Sequence, residues 1–238
     1  MKRITLPREH GGPLTLLGAT AASALLAPSP AAALGVELML LVAFLARGPL
    51  ERKATARPWD HAALAVMAVL GVLGLYLASR GRIAGAALAA AGALALPGGA
   101  LLARRRHWLH GAGFELVAML GLGASAGLAA WCGDLAEPRA LVLGILLGAH
   151  AAASVPLVRA QVRRRERPQV LLAGFLVAAG AVGVFCISGV LALVVLLPRS
   201  LDIALATGRV AGRVDPRSVG LRESALLTAA AVLAVVTV

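Results

Sequence analysis

The chain has 238 residues, of which 60% are apolar and only 14% charged, and its formal net charge at pH 7 is +12. So little polar surface cannot cover a soluble core of this length, and so much hydrophobicity is incompatible with a disordered chain. Nor does the basic excess indicate a nucleic-acid partner: it comes in short bursts between apolar runs, and 3% aromatic content is too little for base stacking. The composition implies an all-α, polytopic transmembrane bundle, one membrane-embedded domain over 1–238.

Charges and prolines punctuate apolar stretches of spanning length. In chain order the expected helices are 14–28, 31–46, 61–79, 83–103, 112–132, 140–158, 169–186, 188–205 and 222–238. The first two are short and joined by Ala27-Pro28-Ser29-Pro30, which fits either a helical hairpin or one broken helix. Only Ile187-Ser188-Gly189 divides the seventh from the eighth. With the N-terminus in the cytoplasm, all of the 23 Lys and Arg residues except Arg80, Arg82 and Arg139 group on the inner side, Arg199 and Arg222 among them. That asymmetry is the positive-inside pattern and predicts nine crossings, N-terminus in and C-terminus out. Lys2-Arg3, an apolar run and Pro30-Ala31-Ala32-Ala33 imitate a cleavable signal, but Glu9-His10 interrupts the basic region, so the first helix is expected to stay.

Trp59, Trp108 and Trp131 fall at span boundaries, where indole rings anchor. Gly123-x-x-x-Gly127 and Gly144-x-x-x-Gly148 have the small-residue spacing that lets helices approach closely, and packing within one bundle is the expected use. Two cysteines, Cys132 and Cys186, sit near outer ends without a CxxC motif and are expected as buried thiols rather than an oxidised pair.

The polar residues are few enough to take one by one. Arg8-Glu9-His10-Gly11-Gly12-Pro13 combines a guanidinium, a carboxylate, an imidazole and two glycines ahead of a helix. It fits an anion-contacting turn, with Arg8 binding and Glu9 and His10 as acid–base groups, or an interfacial turn on lipid headgroups. Glu9, Asp60, Glu115, Glu166 and Glu223 lie near the five helix starts that face the cytoplasm. Dipole compensation explains each alone; together they could line a Mg²⁺-dependent site, with Asp60 and Glu115 as ligands. Glu37 lies inside the second span with no obvious partner, and His150 lies mid-span in the sixth, with Ser154 one turn along. An ionisable group at that depth is a functional candidate, here a proton carrier or ligand. Arg159 and Arg163 continue from the same helix and suit capture of a phosphate-bearing headgroup, although orientation alone would explain them.

Three stretches resemble the YwiC-like family of bacterial membrane proteins: Pro7-Arg8-Glu9-His10-Gly11 at the start, Val158-Arg159 with Arg165-Glu166-Arg167 in the middle, and Pro216-Arg217-Ser218-Val219-Gly220 with Glu223 at the end. The resemblance covers nearly the whole chain and implies a multi-pass protein of the bacterial cytoplasmic (inner) membrane, without assigning a reaction. Nine crossings with this orientation are also similar to UbiA-type prenyltransferases. Those enzymes hold Mg²⁺ and diphosphate on Asp-rich loops, whereas the matching segments here, 47–60 and 159–168, contain no Asp-x-x-x-Asp.

The sequence therefore points first to an intramembrane enzyme or binder for a lipid, isoprenoid or phospholipid with an anionic headgroup, at a site opening to the cytoplasm. Catalytic work would fall to Glu9, His10 and His150, headgroup contact to Arg8, Arg159 and Arg163. A small-solute or proton-coupled transporter, with Glu37 and His150 on its path, and a haem-binding or cofactor-assembly protein are the alternatives.

Overall fold

A computed structural model describes residues 11–51, 58–105, 112–163, 167–188, 191–208 and 216–238. Every regular element among them is helical: α1 (Gly11–Leu26), α2 (Pro30–Glu51), α3 (Pro58–Ala78), α4 (Ile83–Arg105), α5 (Ala112–Cys132), α6 (Glu137–Arg163), α7 (Arg167–Ser188), a 3₁₀ segment (Leu191–Leu196) running into α8 (Leu197–Gly208), and α9 (Pro216–Thr237). Proline sets several starts. Pro30, Pro58 and Pro216 open α2, α3 and α9, where the missing N–H costs no intrahelical bond. Pro156 is inside α6, a position that neighbouring helices make tolerable in membrane proteins.

The stretch 27–29 resolves into a tight turn, so the first two elements form a hairpin rather than one broken helix. At the same end, Ser29 N–H donates to Gly133 O at 2.8 Å and Arg82 N–H to Cys132 O at 2.9 Å, tying the α1–α2, α3–α4 and α5–α6 turns together. The end of α5 is a Schellman cap: Leu135 N–H reaches Ala130 O and Asp134 N–H reaches Trp131 O. Asp134 takes the left-handed position of that cap, with φ 72°, a conformation Asp tolerates better than most side chains. Its carboxylate meets Arg82 Nε at 3.3 Å, and the Arg82 guanidinium lies over Trp131, 5.5 Å from the ring centroid.

Two cores meet at α5. One gathers around α6 and draws on α5, α7 and α9; the other gathers around α2 with α1, α3, α4 and α5. Glycine decides how close α5 and α6 come. A methyl group added at Gly123 would collide with Leu147 O, and one at Gly127 with Ala140 O, so the two small-residue motifs pack against each other inside the bundle, as their spacing predicts. Gly35 of α2 and Gly74 of α3 make a similar backbone approach.

Polarity is distributed as in a protein dissolved in lipid. Leu, Val and Phe side chains such as Val69, Val72, Leu171 and Phe175 face outward, while Glu37, His150, Arg199 and Asp202 are buried. Four helical stretches have the length and apolarity to cross a bilayer: His61–Ala78, Glu115–Cys132, Glu137–Ala160 and Pro168–Ser188. Within the α6 stretch 72% of residues are buried, against 11% in α3, which makes α6 the central post and α3 a peripheral helix. The chain is thus a helical membrane protein. Both cysteines are free; Cys132 is buried as expected, but Cys186 is exposed on α7, because its position faces away from the bundle.

Candidate functional site

Among the described residues the densest polar constellation lies where α6, α8 and α9 meet. Arg199, 1% exposed, grips Glu223 of α9 with both arms of its guanidinium, Nη1 to Oε1 at 2.9 Å and Nη2 to Oε2 at 2.7 Å. Its Nη1 also approaches Asp202 Oδ2 at 3.4 Å, one turn along α8, and Arg222 Nη1 reaches the other oxygen of Asp202 at 3.4 Å. Two guanidinium groups thus balance two carboxylates. Such a pairing is what permits the charges to be buried at all, since an uncompensated ion there would carry its full desolvation cost.

His150 completes the network from α6, with Nε2 3.2 Å from Arg199 Nη2. A guanidinium has no acceptor, so Nε2 accepts this hydrogen bond and the ring carries its proton on Nδ1. That Nδ1–H is buried and has no hydrogen-bond partner among the described residues, as is also true of Arg199 Nε. The same geometry bears on haem: a metal approaching His150 through Nε2 would have to displace Arg199.

The outer face of α8 carries the opposite chemistry. Leu197, Leu201 and Leu205, spaced at four residues, are 53%, 62% and 55% exposed, while Arg199 and Asp202 point inward. This reverses a water-soluble amphipathic helix and fits a lipid environment. Between this face and α9 runs a groove of about 450 Å³, lined by Val194, Leu197, Leu201 and Leu205 on one side and by Leu226 and Leu233 on the other. Asp202 and Arg222 supply its polar groups. Arg222, 38% exposed, sits eleven residues before Leu233 on α9, roughly 16 Å along the helix axis, with Leu226 between them one turn from Arg222.

The residues expected from sequence distribute unevenly. Arg8, Glu9 and His10 lie outside the described residues, as does Glu166. Asp60 falls in the first turn of α3 and Arg163 ends α6, placements that concern the backbone only. Arg159 is joined to Glu115, its Nε and Nη2 both donating to Glu115 Oε2 at 2.9 and 2.7 Å. That contact ties the end of α6 to the start of α5 and occupies the carboxylate oxygen a cation would want. Among the described residues no three His, Cys, Asp or Glu side chains converge as metal ligands, and the side chain of Asp60, the other expected Mg²⁺ ligand, lies outside them. Glu37 does have a partner, Ser125 of α5.

By sequence alone Arg199 and Arg222 count as orientation charges and Asp202 has no assigned role. Arg199 in fact lies within the eighth helical element, against His150, and does not belong to the inner loop. The available signal was the spacing Arg199-x-x-Asp202 in an otherwise apolar stretch. Comparison with protein families, curated proteins and solved structures finds no match to this chain.

Proposed function

We propose that this membrane protein binds, and acts upon, an amphipathic lipid or isoprenoid with an anionic headgroup, held in the groove between α8 and α9. The observation that carries this reading is an apolar groove, lined along its length by leucines, that has the half-exposed Arg222 guanidinium and its partner Asp202 among its lining residues. An apolar chain would lie against Leu197, Leu201 and Leu233, with its headgroup drawn to the Arg222 guanidinium. In sequence Arg209, Arg213 and Arg217 precede Arg222, so the stretch leading into α9 is basic. The Arg199–Glu223–His150 network stands behind the groove and holds the two helices in register, a positioning role rather than contact with the ligand.

The same proposal places Arg8, Glu9 and His10 as the anion-contacting and acid–base groups of a cytoplasm-facing site, with nine crossings, N-terminus in and C-terminus out. Membership of the YwiC-like family, a UbiA-like arrangement and residence in a bacterial inner membrane belong to it as well; their support is the sequence resemblance and the charge asymmetry. The test is native mass spectrometry on protein purified in mild detergent. Wild-type protein should carry an adduct of lipid mass that Leu201→Trp, which fills the groove, removes and Leu172→Trp, on the exposed face of α7, leaves in place. An adduct surviving Leu201→Trp, or none in the wild type, would overturn the assignment.

A further inference from the structure

A second buried polar site, sharing no residue with the groove, lies between α2 and α5. Glu37 is 2% exposed and Ser125 5%, and the hydroxyl of Ser125 lies 3.1 and 3.3 Å from the two carboxyl oxygens of Glu37. The same Oγ is 2.8 Å from Leu122 O, one turn back along α5. Both residues lie seven positions from the same end of the bundle, Glu37 from Pro30 and Ser125 from Cys132, about 10 Å along each helix axis. The same two helices contribute Val36, Met39, Leu40 and Leu122 to one buried apolar cluster.

Hydrogen-bond bookkeeping fixes what this pair can hold. A serine hydroxyl has one proton to give, and three acceptor oxygens surround it. If Glu37 were ionised, that single proton would serve either the carboxylate or Leu122 O, leaving a full negative charge in an apolar core with at most one donor. If Glu37 carries a proton, the chain closes: Glu37 O–H donates to Ser125 Oγ, and Ser125 O–H donates to Leu122 O, its shortest contact. No charge is left over, and both hydroxyl protons are used.

Among the described residues no countercharge pairs with Glu37; the charged residues of α2 itself, Arg47 and Glu51, fall in the second half of that helix. Helices α1, α3, α4 and α5 pack against α2. The described part of α1 has no charged residue; α3 carries Asp60 and His61 in its first turn and Tyr76 near its far end; α4 carries Arg104 and Arg105 in its last turn; α5 carries Glu115 at its start and Cys132 at its end. Tyr76 meets Arg80, Glu115 meets Arg159, and the Cys132 thiol donates to Ala78 O at 3.4 Å. Glu37 forms its hydrogen bonds with Ser125 alone among the described residues. A metal cation in place of the proton would need more oxygen ligands than this pair and one carbonyl provide.

We propose that Glu37 and Ser125 form a proton-binding site inside the membrane domain, in which the Glu37 carboxyl is protonated at neutral pH and the proton is shared with Ser125. The site is independent of the α8/α9 groove. Infrared spectroscopy of the full-length protein reconstituted in lipid at neutral pH reads the protonated carboxyl directly through its C=O stretch. A band present in wild type and missing in Glu37→Gln is the expected result. Ser125→Ala keeps the carboxyl but removes its acceptor, so the band should persist and shift to higher frequency, which also guards against a Glu37→Gln protein that fails to fold. Identical carboxyl-region spectra for wild type and Glu37→Gln, or a Ser125→Ala band at the wild-type position, would overturn the assignment.

Discussion

Removing Arg199 should damage the protein more than removing any one of its partners, and the geometry says by how much. In Arg199→Met the side chain is replaced by an apolar one of similar reach, and Glu223 loses both contacts, at 2.7 and 2.9 Å. Asp202 keeps Arg222 at 3.4 Å and is less affected. Glu223 is largely buried, its side chain 12% exposed, and such a carboxylate left without its cation costs up to about 3–5 kcal/mol. Glu223→Gln is milder, because Arg199 retains Asp202 and an amide can still accept; the loss of a charge-assisted bond there is worth about 1.5–3 kcal/mol. The double variant Arg199→Met/Glu223→Leu removes both charges together, and its destabilisation should fall well below the sum of the two single changes. The assay is reversible unfolding in mixed micelles titrated with denaturing detergent. If Arg199→Met cost less than about 1 kcal/mol, or less than Glu223→Gln, the network would not be the buried, mutually compensating set described above.

Other perturbations test other parts of the account. Gly123→Ala and Gly127→Ala should each destabilise the bundle by about 1–3 kcal/mol through collision with α6 backbone, whereas Gly121→Ala and Gly174→Ala, which meet open space, should stay within about 0.5 kcal/mol of wild type in the same assay. Arg159→Ala should cost about 1 kcal/mol by freeing the α5 start from the α6 end, an effect that Glu115→Gln shares and that does not add in the double variant. An apolar maleimide applied to the folded protein in detergent should label Cys186 and spare Cys132, with both thiols reacting after denaturation; early labelling of Cys132 would contradict its burial at the α5 end.

Helix positions were largely legible because charges and prolines mark them. The predicted 112–132 coincides with α5, and most other segments differ from the observed helices by a few residues at each end. The eighth element is the instructive exception. Pro198 and the pair Arg199 and Asp202 interrupt what would otherwise be a uniform apolar run, and the chain enters α8 through a 3₁₀ segment that a hydropathy reading cannot foresee. Close approach of α5 and α6 was readable from the glycine spacing alone, since absent side chains constrain a contact whatever the partner's identity. The polar partnerships were not readable. His150 and Arg199 are 49 residues apart and Glu37 and Ser125 are 88 apart, and which residues meet depends on how each helix is rotated about its axis. Periodicity in nearly all-apolar helices says little about that rotation, because lipid-facing and buried positions are both hydrophobic.

The groove assignment is tested most directly by headgroup selection. Purified protein would be titrated with an anionic and a zwitterionic lipid of identical chains, with binding counted by native mass spectrometry. Recognition through the Arg222 guanidinium predicts at least about a tenfold preference for the anionic lipid, about 1.4 kcal/mol, that disappears in Arg222→Gln while chain binding persists. Equal binding of the two lipids by the wild type, or a preference that Arg222→Gln leaves intact, would contradict it.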